Sequence, residues 1–233
     1  MKRSRSVSWP SVAEQLSHRQ GPVGRHPGWP ATLGPLRVGA GTLEVRKPKL
    51  SDAAAWSRIR RRDRRHLEAW EPTAPGDWDS NNAAFAWPAQ WSTLRGLARR
   101  GMSLPFVITV DGEVAGQVTV GNVVRGSLCS AWIGYWVGTH AVGGGVATGA
   151  AALVVDHCFR EAGLHRLEAT VRPENAPSIR VLTKLGFREE GLFRRYLDVA
   201  GAWRDHLCYA VTTEDVPSGL VARLVAEGRA EHV

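Results

Sequence analysis

The stretch Gly134-Tyr-Trp-Val-Gly-Thr-His-Ala-Val-Gly-Gly-Gly-Val-Ala-Thr-Gly149 joins an apolar run to a long segment of small residues. The run at residues 130–137 is rich in aromatic and β-branched side chains, which predicts a β-strand. Residues 146–159 have the length and apolar content of a helix. Between them lie three successive glycines, which can adopt positive φ angles and let a ligand approach the main chain. We therefore predict a strand, a tight turn and a helix.

Such a connection can bind an anion. The first amide groups of a helix have no partner inside the helix, and the helix dipole places positive charge there. A phosphate group is the usual ligand, and a tight turn without a ligand is the alternative. Two other phosphate motifs fit badly, because no Lys follows the glycines and no acidic residue follows at the expected distance on the end of a second strand.

Composition and length set the class of the protein. A chain of 233 residues with 43% hydrophobic and 22% charged residues predicts one globular α/β domain. The three cysteines are far apart in the sequence, which gives no metal-binding spacing and suits a reducing cytoplasm. No apolar run approaches 18 residues, so we predict no membrane contact. The basic N-terminus has no apolar segment and does not resemble a secretory signal.

The first 40 residues differ from the rest of the chain. They carry +5 of the net charge of +8 and are rich in Ser, Pro, Gly and Arg. This composition predicts a poorly ordered extension over residues 1–40, with a short helix near residues 12–18, and a folded domain over residues 41–233. Contact with a ribosome or RNA is one interpretation of the basic charge, and a solvated tail is the other.

Periodicity and turn residues predict the elements of the domain. A first strand at Leu43 is followed by a helix after Ser51 and by a second helix over residues 81–100, restarted at Pro88. Further strands are predicted at residues 104–110, 113–124, 130–137, 166–171, 191–199 and 203–212, with helices at 146–159, 176–184 and 217–228. The first helix carries an arginine run that is either a nucleic-acid face or a solvated helix face, and its members are Arg58, Arg60, Arg61, Arg62, Arg64 and Arg65.

Two motifs in this order of elements resemble those of the GNAT N-acetyltransferases. The loop Val142-Gly-Gly-Gly-Val-Ala147 is similar to their Gln/Arg-x-x-Gly-x-Gly/Ala motif, although Val142 replaces the polar first residue and leaves only backbone amides there. Asn175-Ala-Pro-Ser178 before Leu185-Gly-Phe187 is similar to their second motif. The stretches Trp70-Glu-Pro72 and Trp203-Arg-Asp-His206 resemble the RimJ/RimL group of ribosomal-protein N-terminal acetyltransferases within that family.

The resemblance implies a GNAT fold, an α/β architecture whose mixed, mostly antiparallel sheet is splayed at its middle strands, with helices on both faces. It implies acetyl-CoA as the cosubstrate and direct attack by an amine in a ternary complex. The acceptor implied is a protein N-terminus, such as that of a ribosomal protein. The residues implied to bind acetyl-CoA are Trp136, Val137, Gly138, Val142, Gly143, Gly144, Gly145, Val146, Ala147, Thr148, Asn175 and Ser178.

Two side chains are the catalytic candidates. Ser178, in the second motif, would donate a hydrogen bond to the departing thiolate, although a hydroxyl at this place also suits a helix cap. Glu71 would act as the base or bind the substrate ammonium, with Glu168, Asp198 and Asp205 as other acidic candidates. An α-amino group has a pKa near about 8 and needs a weaker base than a lysine, which favours an N-terminal acceptor.

Other functions stay open at this level. A polyamine or aminoglycoside acetyltransferase would need several carboxylates, and a ribosome-associated factor could bind acetyl-CoA without catalysis. No metal site is predicted, since the histidines lack the spacing of metal ligands. A monomer and a dimer are both compatible with the sequence.

Overall fold

Nine β-strands form one sheet in the computed structural model, which describes residues 28–233. The strands are β1 (Thr32–Val38), β2 (Gly41–Arg46), β3 (Ser103–Val110), β4 (Glu113–Val124), β5 (Ser130–Val137), β6 (Arg166–Val171), β7 (Arg188–Val199), β8 (Ala202–Thr212) and β9 (Glu231–His232). The α-helices are α1 (Ala53–Arg62), α2 (Arg64–Leu67), α3 (Trp78–Asn81), α4 (Trp87–Arg99), α5 (Val146–Arg160), α6 (Ala176–Lys184) and α7 (Leu220–Ala226).

The strand order across the sheet is β7-β8-β6-β5-β4-β3-β2-β1-β9. The β5–β6 pair is parallel and the other neighbouring strands are antiparallel. Helix α1 packs on the face that carries Trp136, and α6 contacts Tyr135, which points to the opposite face of β5. The predicted fold class, a mixed sheet with helices on both faces, is therefore confirmed.

The sheet begins earlier in the chain than the sequence predicts. Strand β1 pairs with β2 and β9, and its side chains Leu36 and Val38 lie in the core. The assignment of residues 32–40 to a poorly ordered extension is therefore wrong. Gly34-Pro35 interrupts the strand pattern, but Pro is tolerated here because the register between β1 and β2 shifts at this point. Residues 1–27, with the helix predicted at 12–18, lie outside the described residues.

Two local predictions are confirmed in detail. Asp111-Gly112 forms the tight turn between β3 and β4, and both residues have positive φ angles. Helix α4 begins at Trp87, with Pro88 in its first turn, after the separate short helix α3. The C-terminal helix is shorter than predicted, since the chain leaves α7 to add β9 to the edge of the sheet.

Helix α5 follows the glycine connection and packs across the sheet. Its small residues allow a close approach, since a Cβ atom at Gly149 would lie 2.8 Å from the Leu43 side chain. The alanines at positions 150–152 are buried in the same core. The composition of residues 146–160 thus reflects close packing of the helix on β1 and β2. No helix within residues 28–233 is long and apolar enough to cross a membrane.

Candidate functional site

Strands β5 and β6 separate halfway along their length. They pair at three positions, the last between Trp132 and Glu168, and within residues 28–233 nothing pairs with the remainder of β5 on that side. The amide of Gly138 donates to Ala115 O of β4 at 2.8 Å. Because main-chain groups alternate along a strand, those of Tyr135 and Val137 point into the opening. An extended ligand can therefore pair with β5 as an additional strand.

This alternation separates two residues that the sequence analysis treated together. The backbone of Val137 faces the opening, whereas the backbone of Trp136 faces β4, in the register Gln117–Trp136. Trp136, one of the residues implied to bind acetyl-CoA, therefore does not present its main chain to a ligand in the opening. Its indole instead packs on the helical layer and donates from Nε1 to Gln117 Oε1 at 3.0 Å.

Six consecutive amides follow the opening. Within the described part of the chain, no acceptor pairs with the main-chain N–H groups of residues 143–148. Three of these groups belong to the glycines, and three to the first turn of α5, where the helix dipole is positive. Gly145 precedes the helix with a φ of 81°, the left-handed region that favours glycine. A row of main-chain donors of this kind can bind an anion, and Val142 before it is exposed.

Contacts from two other elements fix the glycine loop. The Ala40 amide, in the turn between β1 and β2, donates to Gly144 O at 3.0 Å. A Cβ atom at Gly144 would lie 2.5 Å from that of Ala40, so a larger residue would push this turn away. At the start of the loop, Asp63 accepts hydrogen bonds from the amide and hydroxyl of Thr139, both at 2.7 Å. The Arg62 guanidinium beside it and these donors hold the pKa of the Asp63 carboxyl well below its usual range.

Ser178 lies on α6, across the opening from β5. Its Oγ is 3.1 Å from the hydroxyl of Tyr135, which points from β5. The helix cap is Asn175, whose Oδ1 accepts from the Ser178 amide at 3.2 Å. The Ser178 hydroxyl is therefore not used as a cap, and Asn175 has a structural role of its own. Burial raises the pKa of Tyr135 to about 12, so its hydroxyl stays protonated near neutral pH.

Glu71 lies between α2 and α3 in a segment that crosses the mouth of the opening. On one side, its carboxylate forms two hydrogen bonds with Arg60 of α1, at 2.8 and 2.5 Å. On the other side, Arg172 after β6 donates to Ala69 O, and Thr73 N donates to Asp198 O of β7 at 2.8 Å. The segment therefore joins the β5 side of the opening to the β6 and β7 side.

The remaining acidic candidates have hydrogen-bond or ion-pair partners of their own. Glu168 pairs with Arg166, and Asp198 accepts from the Thr73 hydroxyl. Asp205 of β8 accepts from the amide of Arg195 at 2.7 Å. Among residues 28–233, no group of three or more His, Cys, Asp or Glu residues could hold a metal ion.

Two residues of this site, Arg60 and Asp63, belong to no motif in the sequence. Tyr135 lies in the stretch from Gly134 to Gly149, but the sequence assigned no role to it. Only the spacing along α1 and α2 offered a signal, because the buried positions follow the helical period: Trp56, Ile59, Arg60, Asp63 and Leu67. Two charged residues at inward positions require partners, which the structure supplies. The rest of the arginine run is exposed, and Arg61 and Arg64 pair with acidic neighbours.

Comparisons with known proteins agree with this geometry. A family model described as "Acetyltransferase (GNAT) domain" matches residues 42–188. The solved structure "Mycobacterium smegmatis RimJ in complex with CoA-disulfide" is 58% identical, covers 89% of this chain and 100% of that chain, and superposes with a TM-score of 0.88. The [Ribosomal protein uS5]-alanine N-acetyltransferase of Escherichia coli (strain K12) is 29% identical over 194 residues, which are 82% of this chain and 98% of that protein.

A further relative matches over a shorter segment. The Bacillus subtilis (strain 168) protein named "Probable N-acetyltransferase YjcK" is 42% identical over 105 residues. These residues are 45% of this chain and 58% of that protein, so the match spans little more than half of the relative's length.

Proposed function

The chain belongs to the GNAT acetyltransferase family, and on this premise we propose that it transfers an acetyl group from acetyl-CoA to the N-terminal α-amino group of a protein. The proposal rests on one observation: two adjacent stretches of main chain have hydrogen-bonding groups without a partner among the described residues. The half of β5 without a partner on the β6 side leads directly into six amides without a partner among the described residues. One surface suits an extended arm, and the other suits a phosphate.

The chain's residues divide the binding of acetyl-CoA between them. The amides of Gly143 to Thr148 would hold its pyrophosphate, and the main chain of Tyr135 and Val137 would pair with its pantetheine arm. The cosubstrate supplies an activated acyl group and a thiolate leaving group. Asp63 and Ala40 hold the loop in the form that presents its amides, so little ordering is needed on binding.

Ser178 is the proposed acid. When the amine nitrogen forms its bond to the acetyl carbon and the carbon–sulfur bond breaks, negative charge moves to the sulfur. The Ser178 hydroxyl can donate to that charge while the Tyr135 hydroxyl, 3.1 Å away, donates to Ser178 Oγ. The proton that the amine loses passes to water. The oxygen of the acetyl group would take a hydrogen bond from the Val137 amide.

The acceptor class follows from the acidic groups at the opening. A polyamine carries several cationic groups, which need several free carboxylates. Around the mouth of the opening, Glu71 pairs with Arg60, Asp198 accepts from Thr73 and Glu174 pairs with Arg172. Because two of these three carboxylates pair with arginines, the surface favours an acceptor with one amine, such as a protein N-terminus. The uS5-alanine specificity in the name of the Escherichia coli relative supports a ribosomal protein as substrate.

Acetylation of matched acceptors tests the proposal. The full chain is incubated with acetyl-CoA and a peptide that begins with alanine, the same peptide with a blocked α-amine and an added lysine, and spermidine. Mass spectrometry should place the acetyl group on the free α-amine, with at least tenfold lower rates for the other acceptors. Faster acetylation of spermidine would indicate a polyamine enzyme. Binding of acetyl-CoA without transfer to any acceptor would indicate the non-catalytic factor.

A further inference from the structure

Arg60 is a buried cation surrounded by aromatic rings. Its side chain is 9% exposed, and its guanidinium carbon lies 5.5, 4.9 and 5.3 Å from the ring centres of three tryptophans. These tryptophans are Trp56, Trp78 and Trp136. Burial of a charge is unfavourable unless the charge is paired and hydrogen-bonded, so a residue of this kind needs a reason in packing or in function.

The surroundings of Arg60 fix the direction of its guanidinium. Nε donates to Asn82 Oδ1, and the indole of Trp78 donates to the Arg60 carbonyl oxygen at 3.0 Å. With the planar group held between the rings, both terminal nitrogens point to Glu71. A guanidinium binds a carboxylate in this two-pronged way with a defined plane and direction, which the ammonium of a lysine cannot reproduce.

The same rings tie this pair to the strand that borders the opening. Trp136 belongs to β5, and its indole shares Gln117 Oε1 with the indole of Trp56 on α1. The position of the Glu71 carboxylate is therefore set relative to the half of β5 that faces the opening. Without Arg60, Glu71 would be one residue of an irregular segment.

Glu71 keeps capacity for a further partner. A carboxylate offers about four acceptor sites, and Arg60 occupies two of them. The side chain is 31% exposed, and within residues 28–233 its hydrogen bonds are those with Arg60. A cationic ligand with N–H donors can therefore reach the free lone pairs, and the acceptor's α-ammonium is such a group.

We propose that Arg60 is a positioning residue for the acceptor: the tryptophan-held guanidinium orients Glu71 so that its carboxylate binds the α-ammonium of the incoming N-terminus beside β5. This inference rests on the proposed function. It assigns to Glu71 the role of a binding group and to Arg60 an action through Glu71. The amine then loses its proton to water at the opening.

Peptide binding tests the inference apart from catalysis. The probes are a peptide with N-terminal alanine and the same peptide with its α-amino group replaced by hydrogen, each titrated into the protein in the presence of CoA. The wild-type chain should bind the amino form at least tenfold more tightly. In Glu71→Gln and in Arg60→Lys this preference should fall to threefold or less, while the affinity for CoA stays within twofold. Arg95→Lys is the matched control, since Arg95 also stacks on a tryptophan, Trp91 at 5.1 Å.

Steady-state kinetics supply a second measurement, which tests the inference even if an Arg60 variant folds poorly. Glu71→Gln alone should raise the KM for the peptide about tenfold with little change in the KM for acetyl-CoA. The double variant should be no worse than the worse single variant, because Arg60 acts through Glu71. Additive effects, or an amino preference that survives in Glu71→Gln, would overturn the inference. If the wild-type chain acetylates no α-amine, the proposed function itself fails, which is a separate outcome.

Discussion

The contact between Asp63 and Thr139 yields a prediction about the donor side of the site. Asp63→Asn keeps the size of the side chain and removes its charge. The two hydrogen bonds from Thr139 then lose their charged acceptor, and the new amide group places a donor against existing donors. A hydrogen bond to a charged group contributes about 1.5–3 kcal/mol, against about 0.5–1.5 kcal/mol for a neutral one. The pair with Arg62 adds little, since 47% of the Arg62 side chain is exposed.

Together these terms predict a loss of about 2–4 kcal/mol, which for a domain of this size lowers the Tm by roughly 5–15 °C. Thr139 begins the turn that leads into the glycine loop, so part of the loss should appear as disorder of the amides. If 1.4 kcal/mol falls on the loop, the affinity for CoA falls about tenfold. Thermal melts and calorimetric titration with CoA measure the two effects.

The dependence on pH gives the prediction a sign. The pKa of Asp63 is lowered in the folded chain and is about 3.9 in the unfolded chain. Its contribution to stability is therefore complete above the unfolded-state value and is lost as the pH falls towards the folded-state value. The difference in unfolding free energy between wild type and Asp63→Asn should be constant from pH 6 to 8 and should shrink below about pH 4.

A neighbouring residue provides the control. Asp79 also faces arginines of the first two helices, but at 3.3 and 3.5 Å and with half of its side chain exposed. Asp79→Asn should change stability by less than about 0.5 kcal/mol. Equal Tm and equal CoA affinity in the Asp63 and Asp79 variants would refute the reasoning, and so would a wild-type advantage that is undiminished at pH 3.5.

Three further predictions concern the other parts of the site. Gly145→Glu adds a side chain at positive φ and a negative charge beside the amides, so the affinity for CoA should fall at least about a hundredfold. An unchanged affinity in calorimetry would show that the phosphate binds elsewhere. Ser178→Ala should lower kcat about ten- to a thousandfold, and the KM for acetyl-CoA and the Tm should change little. Tyr135→Phe should lower kcat by a smaller factor. An unchanged kcat in Ser178→Ala would mean that another group acts as the acid. A chain that starts at Gly28 should keep the wild-type Tm, whereas a chain that starts at Gly41 lacks β1 and should have a Tm at least about 10 °C lower. Equal Tm values for the two truncated chains would contradict the place of β1 in the core.

The sequence was most informative where the chemistry is local. The glycine connection, the Asp111-Gly112 turn and the restart at Pro88 each follow from the conformational freedom of one or two residues, and the structure has them as predicted. Strand β1 was missed because its stability comes from its neighbours in the sheet. A two-residue strand such as β9 has no pattern of its own and forms only because an edge is available.

The site residues were likewise predictable where they lie close together in the sequence. The proposed anion site lies within one continuous stretch, and its main-chain donors do not depend on distant side chains. Ser178 was found through a motif, but its partner Tyr135 is 43 positions away and points across the opening between two strands. Alternation along β5 was enough to distinguish Val137 from Trp136, but only once the pairing register with β4 was known.

The arginine run of α1 and α2 shows that composition alone does not reveal which charged residues are buried. If only charge is considered, the six arginines are equivalent and indicate either a nucleic-acid surface or a solvated face. If the helical period is considered, Arg60 and the nearby Asp63 occupy inward positions that continue from Trp56. A charge at such a position is unfavourable unless partners surround it, so the period alone predicts that partners exist. It cannot name them, because Glu71 and Thr139 follow at separations of 11 and 76 residues along the chain. The C-terminal end of α1, with Asp63 directly after it, thus contacts both the segment assigned to the acceptor and the loop assigned to acetyl-CoA, and substitutions of Arg60 and Asp63 should affect the two substrates separately.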